Sequence, residues 1–437
     1  MVKFEPGKQP GGMSDVRVCD VLVLDAGLRQ SLVTIRSLGQ RGLRVAAVEA
    51  SAATPAFSSR WCQQKFVCPV EEGTLDYLAY LEQLLEATQA RVVISSSDGT
   101  VALLRQHRER LRKRVQLTLG PEPALGIAIN KEQTLEIAES LGIAIPKGML
   151  VSGLSDVEAA LDKIGLPAVI KPVESWVEDA GQRARILAQL VTTPEEARLA
   201  VQELTELGGT TLFQQFLTGR REAVNLLYAS GQVHARFAQW AKRTNPPLGG
   251  SSVLRQSIAV PDDIGSQAEK LVREIGLDGY SEVEFRRDSA GVPYLMEINP
   301  RLSASVELAV RAGVDFPHLL YRWANGEELE TVSSYRVGGW MRDLGGDFET
   351  TAEAIRQRGR PGVTSPGRSI FDFCASFFRP MRYDYLDWKD LAPAWMATAG
   401  FGRLLFTLVR RNLTGIFGKQ SSIDTRSELN SVAIPQE

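Results

Sequence analysis

With 437 residues, 44% of them hydrophobic and 23% charged, the chain has the make-up of an ordinary soluble protein. It is too long for one core, so roughly two to four compact units are expected. A formal net charge of −2 at pH 7 gives no global attraction for a polyanion, which excludes a general nucleic-acid binder. Four cysteines, Cys19, Cys62, Cys68 and Cys374, fit neither a disulfide framework nor a zinc spacing and read as reduced structural residues. Three histidines exclude a histidine-rich metal site, so any metal must rely on oxygen ligands.

Residues 1–15, rich in Gly, Pro and Lys, read as a flexible tail without the apolar centre of a signal peptide. No later run has the length of a membrane span, and a cytoplasmic location is expected. Val18 to Leu24 is a buried-type strand, followed by a helical stretch to Leu38 and a second strand at Val45 to Val48. A third strand, Val92 to Ile94, leads into Ser95-Ser-Ser-Asp-Gly99 and another helix, so residues 16–120 alternate in Rossmann-like fashion. The G-x-G-x-x-G fingerprint is missing, which disfavours a dinucleotide; the loops Asp25 to Gln30 and Ser95 to Gly99 are either plain turns or substrate contacts at strand ends. Residues 121–216 then read as a linker and a small α+β unit, and 217–330 as a larger, strand-rich unit. Residues 331–437 form a more irregular C-terminal extension. Within it, 394–419 mixes aromatic and aliphatic residues with Arg403, Arg410, Arg411 and Lys419. That pattern fits a helix docked on the body or a peripheral helix on a membrane surface.

The most informative run is Glu284 to Arg301. Ser281 to Phe285 and Val292 to Ile298 are strands joined by the turn residues Asp288-Ser-Ala-Gly291, a β-hairpin. Glu284 and Glu297 sit on its two strands, and Glu297 interrupts an apolar segment, where a buried carboxylate needs a cation or hydrogen bonds. Glu297 and Asn299 flank Ile298 and share a face, so convergence with Glu284 on one ion requires a bulge or twist at the strand end. Two carboxylates, an amide and the nearby Arg301 suit magnesium beside phosphates. Lys171, at the end of the strand Ala168 to Pro172, and Lys131, at a helix start, are cations fixed well enough to meet a phosphate; as isolated residues both also fit a snorkelling lysine.

The hairpin resembles the metal-binding signature of the ATP-grasp superfamily, whose members activate a carboxylate as an acyl phosphate. The order Lys131, Lys171, Gln214-Gln215-Phe216-Leu217, Glu284, Glu297, Asn299 is similar to that superfamily's order of nucleotide-binding parts, over about residues 125–325. The resemblance implies an α/β and α+β protein, in which the Rossmann-like domain precedes a two-subdomain ATP-grasp fold. The unit ending at 216 would be the lid and 217–330 the large subdomain with the metal site. It implies magnesium, or manganese in its place, on Glu284, Glu297 and Asn299. ATP would lie against Lys131, Lys171, Gln214 and the hinge Gln215, Phe216 and Leu217, and Glu222 is a candidate for the ribose, one residue late against the common pattern. The lid loop from Lys171 to Arg185 lacks the glycines of many relatives, so Arg183 and Arg185 would substitute charge for backbone amides. Arg301, with Lys242 and Arg255 from the basic segment Lys242 to Arg255, would face the acyl phosphate, and Ser303 and Ser305 would line the same pocket.

The whole is most similar to ATP-dependent carboxylate-amine ligases, the branch that includes D-aspartate ligase. The resemblance implies a small-molecule carboxylate and amine as partners, an amino acid or cell-envelope precursor among them, no nucleic acid, and a homodimer as an open option. Carboxylation through carboxyphosphate, or a nucleotide-binding regulatory protein without turnover, are the alternatives. Because the nucleotide-binding set lies upstream, a chain ending near 330 is expected to keep some ATP binding but to lose ligation, and solubility as apolar surface is uncovered.

Overall fold

A computed structural model of the protein describes residues 16–179, 182–185, 187–206 and 210–399. The tail at 1–15 and most of the basic apolar stretch, from 400 onward, lie outside the described residues.

The N-terminal apolar runs form a five-stranded parallel sheet in the order Gln64–Val67, Val45–Glu49, Val21–Val23, Val92–Ile94, Gln116–Leu117. Alternation divides each strand between two cores. Val21 and Val23 pack with Leu32 and Ile35 of the helix Arg29–Gln40, while Leu22 and Leu24 pack with Leu78 and Leu81 of the helix Leu75–Thr88. Gln64–Val67 and Gln116–Leu117 escape a sequence reading because they are short and only partly apolar.

The small unit is a four-stranded sheet in the order Gln189–Val191, Ala168–Pro172, Thr211–Gln215, Gly148–Val151, antiparallel throughout. The helices Val157–Ile164 and Pro194–Thr205 pack against it through Val157, Ala160, Ala197 and Val201, which meet Ile170 and Phe213. The glycine-poor loop after Pro172 is itself a hairpin, Trp176–Asp179 with Gln182–Arg185.

The large sheet has seven strands in the order Pro293–Asn299, Gly279–Arg287, Arg221–Ala229, Gln232–Asn245, Ser251–Ile258, Trp340–Arg342, Arg382–Tyr383. Val224, Leu226, Val283, Phe285 and Ile298 face the helix Asp262–Ile275. The alternate positions, Arg221, Ala223, Asn225, Glu282, Glu284, Glu297 and Asn299, therefore share the opposite face.

The last two strands of that sheet come from beyond residue 330, so the boundary placed there does not mark the edge of the large unit. Asp347 and Asp384 are buried and pair with Arg243 and Arg342, and with Arg255, respectively. Residues 392–399 are helical and line a cavity through Ala394, Ala397 and Thr398, with Trp395 exposed. No helix among the described residues is long and apolar enough to cross a membrane.

Candidate active site

Glu284 and Glu297 are direct cross-strand partners, and Glu282 is the partner of Asn299. The bulge lies one step before Glu297: Glu284 pairs with Glu297 but Phe285 pairs with Leu295, leaving Met296 as the extra residue. That extra residue puts Leu295 into the apolar core and Glu297 onto the polar face. Like charges directly opposite on a sheet repel, so this pair requires positive charge nearby. Part of it is protein. Arg221 grips Glu284 through Nε at 2.9 Å and Nη2 at 2.6 Å, and Lys131 Nζ lies 3.8 Å from Glu297. Asn299 Nδ2 donates to Glu284 Oε1 at 3.2 Å.

Burial, which Arg221 only partly offsets, and the facing Glu297 push the Glu284 carboxyl up to about 7. Burial works in the same direction on Glu297, but Lys131, Lys171 and Arg221 together hold it below the usual carboxylate range. Lys171 is buried, donates to the carbonyl of Met296 at 3.3 Å, and is pulled down to about 8 by burial against the opposing pull of Glu297. Lys131 starts the helix Lys131–Ser140, whose Asn130 cap fixes it, and its Nζ donates to Ser175 Oγ at 2.9 Å.

A cavity of about 230 Å³ separates this face from the lid and is lined by Lys171, Gln214, Arg221, Glu284, Glu297 and Arg301 among others. Gln214 is fully buried on the lid strand Thr211–Gln215, yet neither its Oε1 nor its Nε2 has a partner. A buried amide with both ends unmet costs free energy unless a ligand satisfies it. Among the described residues no three His, Cys, Asp or Glu side chains are grouped to hold a metal alone. Two carboxylates and an amide do fit an ion that takes its remaining ligands from phosphates and water. Such an ion competes with Arg221 for Glu284.

Gln215 ends the lid strand, and Phe216 and Leu217 follow it. The amide of Gln215 donates to the carbonyl of Lys147 at 2.8 Å, and Phe216 and Leu217 are buried. Glu222 lines the cavity but is held by Arg287 at 2.6 Å and Arg220 at 3.0 Å, so a ribose hydroxyl would share it with two arginines. Arg185 ends the lid hairpin, and its side chain is outside the described part. Arg301 binds Asp98 through Nε at 2.5 Å and Nη2 at 3.1 Å and sits where three cavities meet.

The basic segment is placed differently from the expectation. Arg255 is fully buried and clasped by Asp384, with a further bond from Nη1 to the carbonyl of Ser252 at 3.2 Å, and it does not line the cavity. Lys242 is exposed on the strand Gln232–Asn245, also outside the cavity lining. The loop at 248–250 does reach the site, but with its carbonyls, which take hydrogen bonds from Arg286 and Arg221. The residues that sequence reasoning missed are Arg221, Arg286, Gln239 and Glu282, all lining the cavity. Glu282 accepts from Asn225 at 3.0 Å, Gln239 at 3.2 Å and Ser305 at 3.0 Å, which braces the strand beneath Glu284. Ser303 and Ser305 do line the cavity and are 2.9 Å apart. The signal for Glu282 was its two-residue spacing from Glu284.

A seven-stranded sheet, antiparallel except for its last pair of strands, and a small lid together enclose paired carboxylates and buried lysines, an arrangement that resembles the ATP-grasp class. Residues 210–340 match the family described as ATP-grasp in the biosynthetic pathway with Ter operon. The chain is 22% identical over 408 residues to the carbamoyl phosphate synthase large chain of Thermus thermophilus, covering 87% of this chain and 36% of that one. It is 24% identical over 217 residues to a D-alanine–D-alanine ligase of Chromohalobacter salexigens, covering 46% of this chain and 65% of that one. The chain thus spans less than two thirds of the length of these curated relatives. Its fold is like that of a biotin carboxylase from Campylobacter jejuni, with a TM-score of 0.59, 14% identity and 74% of each chain covered.

Proposed function

We propose that the protein is an ATP- and magnesium-dependent ligase that joins a small-molecule carboxylate to an amine through an acyl phosphate. One observation carries the reading: the buried face on which Glu284 and Glu297 oppose each other, beneath Lys171 and the unpartnered amide of Gln214. Glu284, Glu297 and Asn299 would hold the metal. Lys131 and Lys171 would meet phosphate oxygens, and Gln214 with the backbone of Gln215 to Leu217 would meet the adenine. When bound, ATP would supply the phosphoryl group that makes the carboxylate an acyl phosphate, with ADP leaving, magnesium would neutralise charge on the phosphates, and an amine would then displace phosphate to give an amide.

The chain's own residues contribute position and field. Lys171 carries a buried charge, which acts more strongly there than in water. Arg301, held by Asp98, presents a fixed cation where the reacting groups meet. The loop at 248–250, tied down by Arg221 and Arg286, closes one side of the cavity against water. No side-chain nucleophile is required. The similarity to a D-alanine–D-alanine ligase supports an amino acid among the substrates. Phosphate release from ATP with pairs of amino acids tests the reading. Release that needs bicarbonate and no amine would favour a carboxylase.

A further inference from the structure

A second cavity, also of about 230 Å³, lies at the carboxyl ends of the parallel strands and is lined by Asp25, Glu49, Glu72, Ser96, Trp176 and Arg301 among others. The central strand Val21–Val23 pairs with Val45–Glu49 on one side and Val92–Ile94 on the other. Helices leave these strands toward opposite faces of the sheet, as the two separate cores show. Such a switch point is where open α/β sheets take ligands.

Asp25, two residues past the end of the central strand, has φ of 55°, a left-handed conformation uncommon outside glycine. Its Oδ2 accepts from the amides of Ser96 at 2.7 Å and Ser97 at 2.8 Å and from the hydroxyl of Thr100 at 2.7 Å. Its Oδ1 takes no hydrogen bond from any described residue, although the residue is only 8% exposed. Ser96 is fully buried beside it, and its Oγ has no partner. Glu49 accepts from the amides of Gly27 at 2.5 Å and Ala50 at 2.7 Å, and Glu72 from the hydroxyl of Ser97. The cationic side chain in the described lining is Arg301, whose guanidinium binds Asp98.

Four carboxylates thus share one space, and the Arg301 guanidinium there is bound to one of them, Asp98. Burial is the main cause that pushes Asp25 up to about 6 and Glu72 up to about 8, the behaviour of acids short of a counter-charge. An anion or a nucleotide phosphate would be repelled, and no glycine-rich loop offers amides in place of a cation. Among the described residues none of these acids belongs to a group that could hold a metal. An organic cation remains. Trp176, from the lid hairpin, closes over the acids: a Cβ added at Gly73 would lie 2.8 Å from its indole Cζ2, and one at Gly99 2.8 Å from its Cζ3. Acids on one side and an indole on the other recognise ammonium groups through charge and cation–π attraction.

We propose that this cavity binds the amine co-substrate through an ammonium group held between Asp25, Glu72 and the indole of Trp176. The word co-substrate rests on the ligase reading; the binding does not. Arg301 lines both cavities and joins this one to the active site.

Calorimetric titration of the full-length protein with 1,3-diaminopropane, ethylamine and sodium acetate tests the site. The amines should bind and acetate should not. Glu72→Gln should weaken amine binding about tenfold or more, the scale of one charge-assisted hydrogen bond, and far more than it weakens MgATP binding. Trp176→Leu, a change in the lid hairpin, should weaken the amines as well and serves if Glu72→Gln fails to fold. Absence of amine binding with and without MgADP, affinity indifferent to both substitutions, or a preference for acetate would overturn the proposal. Intact amine binding without amine-dependent phosphate release would instead remove the ligase reading and leave this site standing.

Discussion

Glu297→Gln removes one ligand charge at almost constant volume. Its Lys131 partner and the bulged strand remain, so the melting temperature should move little. Magnesium-dependent phosphate release should fall by about 100-fold or more, the scale of losing one electrostatic stabiliser of the transition state. Unchanged release at saturating magnesium would sink the metal assignment. Lys171→Ala should weaken ATP binding by about 1.5–3 kcal/mol, the value of a charge-assisted hydrogen bond; equal affinity in calorimetry would make Lys171 a bystander. The pH dependence follows from the same residue. Its ammonium is pulled down to about 8, so it is charged below that pH and neutral above it. ATP binds the charged form, hence affinity should be flat below pH 8 and drop by up to about tenfold per unit above it, as binding then takes up a proton. Lys171→Ala should remove that slope. A slope that survives the substitution belongs to another group.

At the level of elements, the hairpin from Gly279 to Asn299 carries the site and one extra residue. Deleting Met296 would leave Leu295 opposite Phe285 and Glu297 opposite Glu284 in a regular ladder, but would remove the carbonyl to which Lys171 donates. A chain lacking Met296 should therefore keep its fold but bind ATP more weakly, because Lys171 loses its acceptor, whereas Met296→Leu, which keeps that carbonyl, should bind as the wild type does; equal affinity of the deletion in calorimetry would show that the bulge is dispensable. The acids of this hairpin were legible in the sequence because Glu297 breaks an apolar strand. The bulge or twist expected at the strand end, between Glu297 and Asn299, lies instead at Met296; Glu297 and Asn299 share a face in a regular stretch of the ladder. Arg221 and Gln239 were not legible, since a polar residue in a half-buried strand declares a face only after its pairing partners are known. The basic segment misled for a related reason. Its arginines advertise an anion, but the anion for Arg255 is Asp384, 129 residues away, and no local pattern reports a contact over that distance.

For the whole molecule, the segment beyond 330 supplies sheet edge and counter-charges to the body. Asp384→Ala strands a fully buried Arg255 and takes a 3.0 Å partner from Arg29, so it should cost about 3–5 kcal/mol and lower the melting temperature of the entire chain. For the same reason, a chain ending near 330 should fail to give a folded ATP-binding protein, against the expectation from sequence. A cooperative melt of Asp384→Ala at the wild-type temperature would contradict that integration. The alternating βαβ pattern and the later strand-rich region were enough to read the order of units, because periodicity survives without knowledge of contacts. The joining of the C-terminal strands was not readable, as Trp340–Arg342 and Arg382–Tyr383 are too short to carry a period. The most direct test of the central proposal is phosphate release from MgATP by the full-length protein across pairs of L- and D-amino acids, with the amide product quantified in the same samples. One phosphate per amide, abolished by chelation of magnesium, is expected for at least one pair; phosphate released without an amine, or with bicarbonate in its place, would contradict it.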